Sequence, residues 1–134
     1  PGAFWEGDTV RSQTILTPTT DALHTVSTFD GGTAPMDDLT VTLTGPMTNP
    51  ILTDVTSGQT VQVNATLASA ATAVLDCSTW TYTRSGGSPT EGLHSGPRWF
   101  SLTPAPGGPI VKVHSTGLTG VSSVGFSGRR KFLT

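Results

Sequence analysis

Trp80 and Tyr82 stand two residues apart in Thr79-Trp80-Thr81-Tyr82-Thr83-Arg84, a spacing that puts both rings on one face of an extended strand. Side by side they could form a flat platform on which a sugar ring stacks. The competing reading makes that face the core, with the indole N–H and the phenol hydroxyl reaching its rim. The core reading is favoured, because a sandwich needs large inward residues and this chain has few. Trp99 and Phe100 pose a second question. Adjacent side chains on a strand point to opposite faces, so one of these rings can enter a core while the other faces solvent, a sugar or another protein. If Trp80 lines the core, Trp5 and Trp99 are the indoles left to stack on a sugar.

Catalytic chemistry finds less to work with. His24, His94 and His114 lie far apart, and none falls in a nucleophile motif, so each reads as an ordinary surface histidine. Gly120-Val121-Ser122-Ser123-Val124-Gly125 has the wrong spacing for a nucleophile elbow and no strand-to-helix context. Asp37-Asp38 reads as a solvated turn, since adjacent carboxylates without further spaced oxygen ligands match no calcium loop. Asn64-Ala65-Thr66 fits a glycosylation triplet but lies mid-strand. Cys77 is the single cysteine, which excludes a disulfide within the chain and a thiolate metal cluster. The expectation is therefore no enzyme, no cofactor and no metal. The basic run Arg129-Arg130-Lys131 reads as a guard on a closing edge strand, or as a subunit contact.

Composition narrows the partners. Charged residues are 12% of the 134, and the formal net charge is −2, which argues against a nucleic-acid surface. No run of 18 apolar residues is present, so no membrane helix is expected. The chain starts on Pro1 and not on Met, which reads as a processed end or a cut inside a longer polypeptide. By length it is one domain, residues 1–134, with a linker-like aromatic start over residues 1–8.

The elements that must position these residues follow a two-residue period. Leu39, Val41 and Leu43 alternate with threonines and end at Gly45-Pro46; Val61, Val63, Ala65 and Leu67 alternate with polar residues. Val111 with Val113, and Val124 with Phe126, repeat the pattern. Each predicts a strand with one face buried. Asp30-Gly31-Gly32, Thr48-Asn49-Pro50, Ser57-Gly58, Gly86-Gly87 and Pro106-Gly107-Gly108 read as turns between them. The alanine-rich stretch 67–75 has helix propensity, yet a helix there would interrupt two good strands. It reads as strand, turn, strand, with Ala73 and Leu75 inward. The sum is an all-β antiparallel sandwich of jelly-roll or galectin-like type, with at most one or two helical turns.

Taken in order, several motifs resemble the C-terminal domain of siphophage distal tail (Dit-like) proteins. These are Pro1-Gly2-Ala3-Phe4-Trp5, then Leu39 to Gly45 followed by Thr48-Asn49-Pro50-Ile51, and Val74-Leu75-Asp76. Trp99-Phe100-Ser101-Leu102 before Pro106-Gly107, and Arg129-Arg130-Lys131-Phe132-Leu133, complete the series. Thr103-Pro104-Ala105 lengthens the turn where the family passes straight to Pro-Gly. The resemblance implies a galectin-like or carbohydrate-module-like sandwich without catalytic residues. It would sit in a virion tail and contact other tail and baseplate proteins, with ring oligomers in the full-length assembly alone. On this reading Phe100 and Leu102 enter the core together and Trp99 points the other way. The alternative function is a lectin-like module that binds a host-surface glycan. Trp99, Trp5, Trp80, Tyr82, Arg129 and Arg130 are the candidate contact residues.

Overall fold

Threonine alternating with branched apolar residues disfavours helix and suits a pleated surface with one wet face, and strands dominate the chain. The computed structural model describes residues 4–5, 9–36, 38–63, 66–79, 81–84 and 100–133. Its strands are β1 (Phe4–Trp5), β2 (Arg11–Leu16), β3 (Leu23–Thr25), β4 (Thr40–Thr44), β5 (Met47–Asp54) and β6 (Thr60–Gln62). They continue with β7 (Thr66–Leu67), β8 (Thr72–Asp76), β9 (Thr81–Arg84), β10 (Ile110–Thr116), β11 (Ser123–Gly128) and β12 (Phe132–Leu133). One 3₁₀ turn, Ser27–Phe29, is the helical element among the described residues.

Two five-stranded antiparallel sheets stack face to face. One runs β2-β11-β4-β8-β9; the other runs β3-β10-β5-β6, with β7 also pairing β5. Position by position, β2 lies in the order where β3 lies in the other sheet, β11 where β10 lies, and β4 where β5 lies. The chain therefore crosses between sheets at each of these joints, which is the jelly-roll wrap. A separate two-stranded ribbon pairs β1 with β12.

The core fills from both inner faces. Val41, Leu43, Leu75, Val124 and Phe126 come from one sheet, and Leu52, Val61, Val111 and Val113 from the other. Tyr82 stands opposite Leu75 and is buried with them. The alanine-rich stretch is strand, turn, strand as expected. Ala70 takes a left-handed φ of 67°, and Ala73 and Leu75 face inward. Gly45 sits at the β4–β5 joint, where a Cβ would run into the carbonyl oxygen of Ala68 and lie 2.7 Å from that of Leu67. Only glycine fits so near another backbone.

Three expectations need correction. Thr48-Asn49-Pro50 is not a turn: β5 runs straight through it. The pairings His114↔Ile51 and Thr116↔Thr48 leave one extra residue on β5, so the segment is a β-bulge with Asn49 at φ 47°. Ser115 closes the gap, its hydroxyl accepting from the Thr48 N–H at 3.1 Å and donating to the Thr48 carbonyl at 3.0 Å. The strand expected from Val61 to Leu67 is divided into β6 and β7, although Val61, Val63 and Leu67 are all buried. Finally, Arg129 and Arg130 do not belong to a closing strand. They lie between β11 and β12, because Lys131 pairs with Ala34 and Arg130 reaches across to the Asp30 carbonyl.

Candidate interaction surface

The outward face of the first sheet is mostly hydroxyl side chains, with Leu16, Val74 and Asp76 among them. Ser12, Ser127 and Thr40 share one row across β2, β11 and β4, and Thr14, Gly125 and Thr42 share the next. Gly125 has no side chain, so the backbone of β11 forms a floor between Thr14 and Thr42. Ser12, Thr14, Thr42 and Ser127 line the resulting depression of about 210 Å³. A second depression of about 270 Å³, lined by Val10, Asp38, Thr40, Gly128 and Arg129, shares Ser127 with it. Hydroxyls and backbone can hydrogen-bond a ligand there, but among the described residues no aromatic side chain flanks either hollow except Phe126, whose ring is buried.

The structure separates the six candidate contact residues. Tyr82 is in the core, which settles its face in favour of the core reading. Trp80 and Trp99 lie outside the described residues. Trp5 is placed by its backbone in β1, opposite Phe132 of β12. Arg129 and Arg130 precede β12 in sequence, with Lys131 between. Arg130 donates from Nη1 to the Asp30 carbonyl oxygen at 2.8 Å, and the backbone of Thr33 and Ala34 bonds the Lys131 carbonyl. Arg129 is exposed.

Phe100 and Leu102 are fully buried, as expected, and Ser101 between them is buried as well. They belong to no strand; Leu102 instead exchanges two backbone bonds with Met36 in an isolated bridge. What holds this segment was not anticipated. Gln59 Oε1 accepts from both the N–H and the hydroxyl of Ser101, at 3.2 and 3.0 Å. Asp54, fully buried at the end of β5, accepts from the hydroxyls of Ser57 and Thr103, each at 2.6 Å. The Asp54-to-Gly58 stretch carried the signal, since an Asp followed by Ser-Gly is turn chemistry in which the carboxyl caps its own loop. Nothing local pointed to Thr103 as its second donor.

Among the described residues the titratable groups show no reactive arrangement. Burial, with the neighbouring Asp76 charge adding to it, pushes the Cys77 thiol up to about 12, so it is a neutral core group and no nucleophile at pH 7. Burial also holds the His24 imidazole below its ordinary value. His114, on the outer face of the second sheet, places Nδ1 3.0 Å from Oδ1 of Asp21 with both side chains exposed. His94 and Asp37 lie outside the described residues. Among the described residues no three His, Cys, Asp or Glu side chains gather as a metal site, and no helix is long and apolar enough to cross a membrane.

Comparison with known protein families, curated proteins and solved structures found no match.

Proposed function

We propose that this chain is a structural module of a bacteriophage or prophage tail tip, like the C-terminal sandwich of distal tail proteins, and that it works through protein–protein contacts. On this reading it is not an enzyme, needs no cofactor, and resides in the virion tail among other tail and baseplate proteins. The observation that carries the proposal is the burial of the four aromatic side chains that the structure describes. Phe29, Tyr82, Phe100 and Phe126 are all buried, while the outward face of the first sheet offers serine and threonine. Tight sugar recognition uses stacked rings and convergent charged donors, and the described part of this face supplies no ring. A face of mostly hydroxyl side chains, with Asp76 as a charge in its row, instead suits broad contact with a neighbouring subunit.

The motifs behind the resemblance also sit at joints of the fold. Gly45-Pro46 carries the chain from one sheet to the other, Asn49-Pro50 forms the bulge of β5, and Phe100 with Leu102 anchors the segment before Pro106-Gly107. The glycan-binding reading has one observation in its favour, the hydroxyl-lined depression over Gly125. Glycan-array screening followed by tryptophan-fluorescence titration separates the two. The tail-module reading predicts no saturable binding tighter than about 1 μM. Binding tighter than that, lost in a Trp99→Ala variant that still folds, establishes the lectin instead.

A further inference from the structure

We propose that β2 is a self-complementary edge through which two copies of this chain pair, joining their β2-containing sheets across a two-fold axis. The proposal rests on the edge itself and is independent of the tail reading. Among the described residues β2 pairs only with β11, so the backbone groups along its other side face outward. At six residues it is longer than the other sheet-end strands: β9 has four residues, and β3 and β6 have three each.

Natural edges are blunted by bulges, prolines or outward charges. Here β2 has none of these. It stays in unbroken register with β11 from Arg11↔Gly128 to Leu16↔Ser123. Its outward side chains are Ser12, Thr14 and Leu16, with Val10 next before them, all uncharged. Its single charge, Arg11, is turned the other way and donates to the Thr28 carbonyl oxygen at 3.4 Å. Gln13 is held similarly, its Oε1 accepting from the Thr28 N–H at 2.9 Å. The 3₁₀ turn thus fixes the inward side chains and keeps the strand extended before any partner arrives, which lowers the ordering cost of pairing.

The apolar residues choose the occupant and the register. Val10 and Leu16 are 59% and 61% exposed; they share the outward face, and each lies three residues from Gln13. Antiparallel pairing about an axis through Gln13 sets Val10 of one copy against Leu16 of the other, twice by symmetry. Ser12 then meets Thr14, and Arg11 meets Ile15, so no like charges oppose. A register moved by two residues sets Leu16 against Ser12, or Val10 against Thr14, and loses the apolar match. A strand that matches itself this way fits a second copy of this chain.

Sedimentation-velocity runs up to about 1 mM test the pairing. We expect concentration-dependent dimers. Val10→Lys and Leu16→Glu, both at exposed positions, each weaken dimerisation at least about fivefold, because each disrupts two symmetric cross-strand pairs. The double variant sets opposite charges against each other at both ends of the seam, and restores dimerisation to within about threefold of the original. Circular dichroism checks that all three variants keep the fold. A chain that stays monomeric throughout, a dimer indifferent to the single substitutions, or a double variant no better than the singles overturns the proposal.

Discussion

The hydroxyl of Thr103 donates a 2.6 Å hydrogen bond to Oδ2 of Asp54, whose side chain is fully buried where β5 turns toward β6. The same oxygen accepts from Ser57, and Gln59 of the same turn holds Ser101. Through these contacts one short turn fixes residues 101–103, and with them the inward aim of Phe100 and Leu102. Asp54→Ala leaves both hydroxyl donors without their acceptor. We expect it to cost about 2–4 kcal/mol in urea melts, and Thr103→Val about 1–2 kcal/mol, since Ser57 still serves the carboxyl. Equal costs for the two would show that Ser57 contributes nothing.

Phe100→Ala removes a fully buried ring from the core. The expected cost is about 3–5 kcal/mol, as for other large-to-small core changes. Trp99→Ala should cost clearly less in the same assay. The reverse order would place Trp99, and not Phe100, in the interior.

Gly45→Ala tests the joint between the sheets. With the Leu67 and Ala68 carbonyls in the way of a Cβ, the substitution forces a backbone shift. A loss of about 1–3 kcal/mol is expected, read as a lower urea midpoint at unchanged slope. A neutral outcome would mean the two segments separate easily.

Acid should loosen the molecule through His24. Its Nε2 is buried without a hydrogen-bond partner, and burial lowers its affinity for a proton in the folded state. The unfolded chain therefore takes up that proton first. The contribution of His24 to stability is complete above its ordinary value, about 6.5, and is lost as pH falls from there toward the lowered folded value. Melting temperatures compared between about pH 7.5 and 5.5 should fall more for the parent chain than for His24→Gln. The difference between the two isolates the contribution of His24. Parallel slopes would contradict the assignment.

Much of the fold was legible because strict alternation has one structural meaning. Thr40 to Thr44 reads as a half-buried strand on any register, and so it is. Residues 66–76 were legible against their alanine content, since a strand period outlasts a weak helix propensity. Asn49-Pro50 misled for a physical reason. A left-handed Asn before Pro serves a turn and a bulge alike, and the choice is made by β10 and β6 pairing on either side of β5. Arg129 and Arg130 misled similarly. The Arg130 partner is a carbonyl of Asp30, 100 residues away in sequence, which no local pattern encodes. Of the candidate contacts, the core placement of Tyr82 was legible from parity and from the need for large inward residues. The Asp54–Thr103 bond joins residues 49 apart and was not legible.

The most direct measurement of the central claim is antibody labelling of purified tailed particles, viewed by electron microscopy with an antibody raised against this chain. Tail-tip function predicts label concentrated at the distal end of the tail, in several copies per particle, and blocked by prior addition of the free chain. Particles that carry no label at the tail tip, when the same antibody detects the intact protein in the producing cells, would contradict the account.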